Sequence, residues 1–431
     1  MTMKKTIFIL MAVLLVLCAC QKPVPSATEK EKTYDLSQLR FDFTIEMPEA
    51  TKGVRQGWQD GDKVFIFIQG INSAYLTVTH DGSAWSADPT QIVRDGESAP
   101  TLAERGYLTA VYLPYGNSLA PVWDGDANAW TFSDTNPIDY YYLKSEKTAY
   151  FITDMANPLP TLGAYLYMDT ADGFVQFFLP DESASGSIQL ACNVVAPCGI
   201  AGVALDGTVT EASLPMGNWI TARAETLGGE KGYYASGKLS PRPGSQYYFA
   251  IHAGDNYKHY YKQRSSSLSS RGAYQLPAAT DWLAVSSSTF VEVADNSWAT
   301  MNTGASTPWE IGTQYDSSSM SDAITSDTLL PSDDDWNLLL DRTKVIWVQL
   351  SLLGTDGFLV MNRHDPGKYF FLPCLDYWST SVTESTQHYM KTDAEGTHEI
   401  VDTNPPANAY VRLVSSLYGG NFNPPENGGN I

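Results

Sequence analysis

Between Leu39 and Met47 the chain reads Leu-Arg-Phe-Asp-Phe-Thr-Ile-Glu-Met, with an apolar residue at every second position. A period of two places Leu39, Phe41, Phe43, Ile45 and Met47 on one side of an extended strand, whereas a helix face repeats every 3.6 residues. One face of this strand is therefore buried and the other solvated. The next strong segment, Val64-Phe-Ile-Phe-Ile68, is a wholly apolar strand. Further short strands are expected at Tyr75–Val78, Tyr107–Leu113, Tyr140–Leu143 and Tyr165–Met168, separated by turn signals such as Asp81-Gly82. The pattern predicts a β-sandwich over residues 34–170.

Residues 171–285 continue in the same style. Strands are expected at Phe174–Leu179, Ile200–Leu205 and Tyr247–Ile251, with another turn at Asp206-Gly207, which gives a second β domain. Residues 286–431 differ. Ser332 followed by Asp335 has the spacing of a capping box, acidic residues fill the first turn, and Trp336, Leu339 and Leu340 share one helical face. Strands at Val345–Leu350, Gly357–Met361, Tyr369–Leu372 and Tyr410–Val414 complete a compact α+β unit. The fold class is thus mainly β: two β-sandwiches in tandem, then an α+β domain.

The N-terminus carries Lys4 and Lys5, an apolar run from Ile7 to Leu17, and Leu17-Cys18-Ala19-Cys20. A charged start, a short apolar core and small residues before the break are an export signal. Leu17 placed three before Cys20 resembles the bacterial lipobox, so residues 1–20 read as a signal peptide and Cys20 as the acylated first residue, which ties the chain to a membrane. Residues 21–33 are polar and read as a tether. Among the other cysteines, Cys192 and Cys198 either pair across a short turn or, with Cys374, stay as buried thiols.

Acidic residues outnumber basic ones 48 to 27, for a formal charge of −21. That excludes the basic footprint a nucleic-acid partner requires. No G-x-S-x-G, H-E-x-x-H or P-loop segment occurs, so no enzyme, metal or cofactor is expected.

The order Cys20, Leu39–Met47, Thr51–Arg55, Trp58-x-x-Gly61-Asp62 and Val64–Ile68 resembles the start of a fimbrillin, the pilus-subunit family of Bacteroidales. Tyr260-Tyr-Lys262 and Gly272-Ala-Tyr-Gln-Leu-Pro277 are similar to the end of a fimbrillin second domain. Trp298-Ala-Thr-Met-Asn-Thr-Gly-Ala-Ser306, Leu330-Pro-Ser332, Gly357-Phe-Leu-Val360 and Phe370-Phe-Leu-Pro373 resemble a C-terminal surface domain related to the C-type-lectin-like fold. Where that domain has Leu-Pro-Ala-Ala-Gly-Tyr, this chain has Leu372-Pro-Cys-Leu-Asp-Tyr377.

The resemblance implies transthyretin-like sandwiches, an outer-membrane lipid-anchored precursor, and a cell-surface fimbrium as destination. It implies proteolysis after Arg55, leaving Gln56 as the new terminus, with Lys52 the second choice. The strand Leu39–Met47 would then leave and a neighbouring subunit's strand would fill its groove by donor-strand complementation. The Asn-, Gly- and Pro-rich end (421–430) is a poor donor strand, which favours a tip position with residues 286–431 displayed. The aromatic residues Trp309, Trp347, Tyr377 and Trp378 are candidates for stacking on a glycan, against the alternative of core packing; a protein ligand is equally open. The competing reading is a permanently anchored, glycan-binding surface lipoprotein of a polysaccharide-uptake system.

Overall fold

The computed structural model describes residues 32–47, 57–87, 97–114, 119–132, 142–154, 159–170, 173–284 and 290–415. Four strands organise the first region: β1 (Arg40–Glu46), β2 (Lys63–Ile68), β3 (Arg105–Tyr112) and β4 (Thr161–Thr170). The sheet runs Leu143–Ser145, β4, Thr148–Thr153, β3, β2, Leu76–His80, Trp85–Ala87, and β1 joins it by pairing in parallel with β4. β2 separates two apolar clusters. Val64, Ile66 and Ile68 belong to one, and Phe65 and Phe67 to the other. A strand with a core on each side has no solvated face, which is why its sequence carries no polar alternation. β1 has one core only: Phe43 and Ile45 are buried, while Arg40, Asp42, Thr44 and Glu46 are exposed.

The second cluster of β2 draws on both β regions. The strands Val122–Asp124 and Ala129–Thr131 form a four-stranded sheet with Cys198–Ala204 and Val209–Ser213. Gly202 is required there, since a Cβ at that position would lie 2.4 Å from the carbonyl oxygen of Trp130. The remaining strands between residues 173 and 284 build a nine-stranded sheet that includes β5 (Phe174–Pro180), β6 (Gln246–Ala253), β7 (Asn256–Gln263) and β8 (Ala273–Gln275). The expected borders at 170/171 and 285/286 touch residues 171–172 and 285–289, outside the described residues.

Of the two readings for Cys192 and Cys198, the disulfide is overturned. Both are free and buried, Cys192 in the core of the nine-stranded sheet and Cys198 in the cluster beneath β2. Thiols committed to different cores cannot meet. Burial pushes both thiols up to about 12.

In the third region α1 (Asp333–Leu340) begins with the capping box: the Ser332 hydroxyl accepts from the Asp335 N–H at 3.3 Å, and the Asp335 carboxylate accepts from the Ser332 N–H at 2.7 Å. Trp336 and Leu339 are fully buried. They pack with Trp298, Phe370 and Tyr377 against one face of the sheet formed by β9 (Val345–Leu352), β10 (Thr355–Asn362) and β11 (Tyr369–Pro373). The other face of that sheet packs on the second region. Val348, Leu350, Leu359 and Phe371 share a cluster with Ala191, Tyr248 and Ala250. Tyr248 stacks on Phe371 with centroids 6.0 Å apart, Trp219 meets Trp309 edge-on, and the Leu353 N–H donates to the Gly217 carbonyl at 2.9 Å.

His259 of β7 lies buried in this seam, its Nδ1 2.9 Å from the Tyr248 hydroxyl and its ring against Tyr369. Burial lowers its pKa from 6.5 to about 4. The folded protein therefore holds a neutral imidazole that the unfolded chain protonates below pH 6.5. The stability this provides is complete above pH 6.5 and is lost as pH falls toward 4. At roughly 1.4 kcal/mol per pKa unit the loss is on the order of 3 kcal/mol. Urea titrations from pH 7 to 4 are expected to show it in the wild type, with a flatter profile for His259→Gln.

Candidate functional site: the first strand and its seat

β1 is held along one edge by seven residue pairs with β4, from Arg40↔Thr161 to Glu46↔Tyr167, and the Arg40 N–H donates to the Pro160 carbonyl at 2.9 Å. Among the described residues no strand pairs with its other edge. That edge is met instead by one side chain: the Trp58 indole N–H donates to the Ile45 carbonyl at 2.9 Å. The local sequence explains how the indole gets there. Gly61 takes φ 85°, a left-handed turn conformation that favours glycine. Asp62 is buried, and its carboxylate accepts from the Tyr112 hydroxyl at 2.8 Å and the Gln59 N–H at 2.7 Å. The turn aims Trp58 at β1, and its ring is wedged edge-on between Trp85 at 4.7 Å and Tyr112 at 5.0 Å. Trp58-x-x-Gly61-Asp62 is thus a clamp on the first strand.

The seat beneath β1 is apolar. Phe43 and Ile45 pack into a cluster with Val64, Ile66, Leu76, Leu162 and Leu166, to which Phe178, Leu227 and Tyr234 of the second region also belong. Leu39 is buried in it, while Phe41 and Met47 are half-buried at its margin. Alternate side chains of the first strand fill alternate positions of the groove. On the solvent side, β1 borders an aromatic stripe. Tyr107, Phe151, Tyr165 and Tyr167 are each about half exposed, and the register of the strands puts them on one face. The Tyr165 hydroxyl donates to the Glu46 carboxylate across the β1–β4 pair. Isolated exposed aromatics are ordinary; four on neighbouring strands are a candidate contact surface.

Cys20, Lys52, Arg55, Gln56 and residues 421–430 lie outside the described residues. Three of the four aromatics expected to stack on a glycan are buried. Tyr377 and Trp378 are fully buried, Trp378 donating to the Tyr315 carbonyl at 2.7 Å and Tyr377 to the Pro373 carbonyl at 2.8 Å. Trp309 is enclosed by Trp219 and Tyr257 at the seam. Trp347 is half-buried, its ring stacked on His398 at 4.5 Å and its N–H donated to the Leu339 carbonyl. Core packing claims Tyr377 and Trp378, whose hydroxyl and indole N–H each find a backbone carbonyl inside the domain.

Two polar sites escaped the sequence reading. Arg412 is fully buried, donates to the carbonyls of Ala299 at 3.0 Å and Phe371 at 2.8 Å, and is lowered by burial to about 10. It joins the strands that carry Ala299 and Phe371, a non-local task that no short motif announces. Asp333 binds His388 Nδ1 and the Ser379 hydroxyl, and His388 Nε2 lies 2.8 Å from the Thr383 hydroxyl. This relay fastens the 376–392 hairpin to the first turn of α1. Among the described residues no group of three or more His, Cys, Asp or Glu is placed to hold a metal ion.

No protein-family model matches the chain, and no curated protein matches it. Solved structures similar to it include a fimbrial protein from Bacteroides ovatus ATCC 8483, 10% identical with a TM-score of 0.26, covering 88% of this chain and 99% of that one. The fimbrial anchor protein Mfa2 from Porphyromonas gingivalis is also 10% identical, with a TM-score of 0.23, covering 57% of this chain and 95% of that one.

Trp58→Ala removes both the bond to Ile45 and the ring wedge, for an expected cost of about 2 kcal/mol. The amides of residues 40–46 should then exchange hydrogen faster than those of β2 and β3. Asp62→Asn turns an acceptor toward a donor in a buried site and is expected to lower stability by about 1–3 kcal/mol. Exchange rates in β1 that match the wild type in Trp58→Ala would dismiss the clamp.

Proposed function

We propose that the chain is a structural and adhesive subunit of a cell-surface pilus, assembled through replacement of its first strand. The observation that carries this reading is that β1 belongs to the core by side chains yet, among the described residues, to the sheet by one edge only. A strand held this way can leave without dismantling another pairing, and the groove it vacates keeps the backbone groups of β4 and the apolar floor that an incoming strand needs. The order of lipobox, alternating strand, basic link and Trp-x-x-Gly-Asp clamp supports the same reading.

In this scheme the lipid on Cys20 carries the precursor to the outer membrane. A cut after Arg55 then frees anchor and strand together, leaving Gln56 first. Residues 286–431 form the displayed module of a tip subunit. The half-exposed stripe of Tyr107, Phe151, Tyr165 and Tyr167 beside the groove suits a neighbouring subunit that engages it.

Sequencing the N-terminus of protein taken from assembled surface fibres tests the scheme. Gln56 is the expected first residue. Lipidated Cys20 retained in every fibre would instead favour a permanently anchored surface lipoprotein. In the precursor, Arg55→Ala together with Lys52→Ala is expected to abolish conversion and leave the subunit out of fibres, read by immunoblot of purified fibres.

A further inference from the structure

The second region leaves one flank of its sandwich open. β8 lies at the end of the nine-stranded sheet and pairs in parallel with β5 through Gln176↔Ala273, Phe177↔Tyr274 and Phe178↔Gln275. The Gln176 N–H donates to Gly272 and the Leu276 N–H to Phe178. In a parallel ladder that register turns the backbone groups of Ala273 and Gln275 away from β5. Among the described residues no strand meets that outer edge. Across the gap stands β7, which pairs with β6 along its length but with Leu283–Ala284 only at Lys258 and His259.

Between β8 and β7 runs a groove of about 790 Å³. Its floor is Phe177 and Phe249, in edge-on contact at 5.4 Å, and Tyr260 and Tyr274 line its walls. Lys262 and Arg264 stand on the β7 side. The Arg264 guanidinium lies 4.6 Å over the Tyr274 ring, and neither cation has a carboxylate partner among the described residues. The carboxylate on the rim, Glu230, is taken up by the Gln275 side-chain amide at 3.2 Å. Two unpaired cations in a chain of net charge −21 mark a local reversal of the protein's own field.

We infer that this groove is a binding site for an extended acidic peptide of a partner protein, added as a strand to the free edge of β8. Three features select that occupant. Donors and acceptors that recur every second residue, at Ala273 and Gln275, match the outward groups of a strand. The aromatic slot takes the alternate side chains that such a strand turns inward. Lys262 and Arg264 complement the acidic residues between them, fixing partner choice and register. The site is separate from the seat of β1 and exists whether or not that strand is ever cut.

The test uses the full chain and a dye-labelled seven-residue peptide alternating Phe or Ile with Asp or Glu, followed by fluorescence anisotropy. Saturable binding is expected. The same peptide with Lys in place of its acids, or with N-methyl groups on the amides of one edge, should bind at least about tenfold more weakly. Gln275→Pro deletes the outward N–H and leaves the β5 pairing intact; it should weaken binding by a similar factor, as should the surface change Lys262→Glu. Circular dichroism confirms that each variant is folded. N-methylated and unmethylated peptides of equal affinity, indifference to peptide charge, or no saturation by the acidic peptide each overturn the assignment. Because the peptide titration reads this groove in the uncut chain, failure here and failure of strand replacement are distinguishable.

Discussion

A strand at the end of a sheet presents N–H and C=O groups that must find partners, and an apolar face that must find cover. In the first region β4 has both needs, and β1 meets both at once. The partner comes from far away in sequence, since residues 40–46 lie beside residues 161–167, so the region is closed only when its beginning returns to its end. Burying a side chain of the size of Phe43 or Ile45 contributes about 1.5–3 kcal/mol, and the backbone groups of seven residue pairs go with it. An empty groove would therefore expose both the floor and the edge of β4. It can be refilled far more readily than it can be left open.

The rest of the molecule is tied to that seat by strands that work on two faces. β2 carries one cluster under β1 and a second one shared with Cys198–Ala204, and Phe178 and Tyr234 reach from the second region into the first cluster. The sheet of β9, β10 and β11 does the same further along, with α1 on one face and Tyr248 on the other. Cores are shared across what reads in sequence as a boundary.

That difference sets what was legible. The alternation of β1, the wholly apolar β2 and the capping box of Ser332 and Asp335 are local patterns, and local patterns survive in a single sequence. The expected strand at Tyr107–Leu113 overlaps β3 and that at Tyr165–Met168 falls within β4 for the same reason. The task of Trp58 was not legible, because it depends on a carbonyl thirteen residues away meeting an indole swung by a tight turn. Neither were the separate fates of Cys192 and Cys198: six residues apart, they enter different cores because the chain changes sheets between them. The tryptophans misled for a related reason. A ring that could lie on a sugar is the same ring that fills a core, and only packing decides for Trp309 and Trp378.

The seam between the second and third regions has a mechanical meaning. Tyr248, Phe371, Trp219 and Trp309 interlock across it, a backbone hydrogen bond crosses it at Leu353 and Gly217, and a Cβ on Gly217 would come within 3.1 Å of the Leu352 backbone. Such a joint does not swing. A pull applied at the far end of the molecule is shared among many side chains sliding together instead of one peptide segment stretching, so the chain transmits tension as a strut and yields only when the whole contact shears.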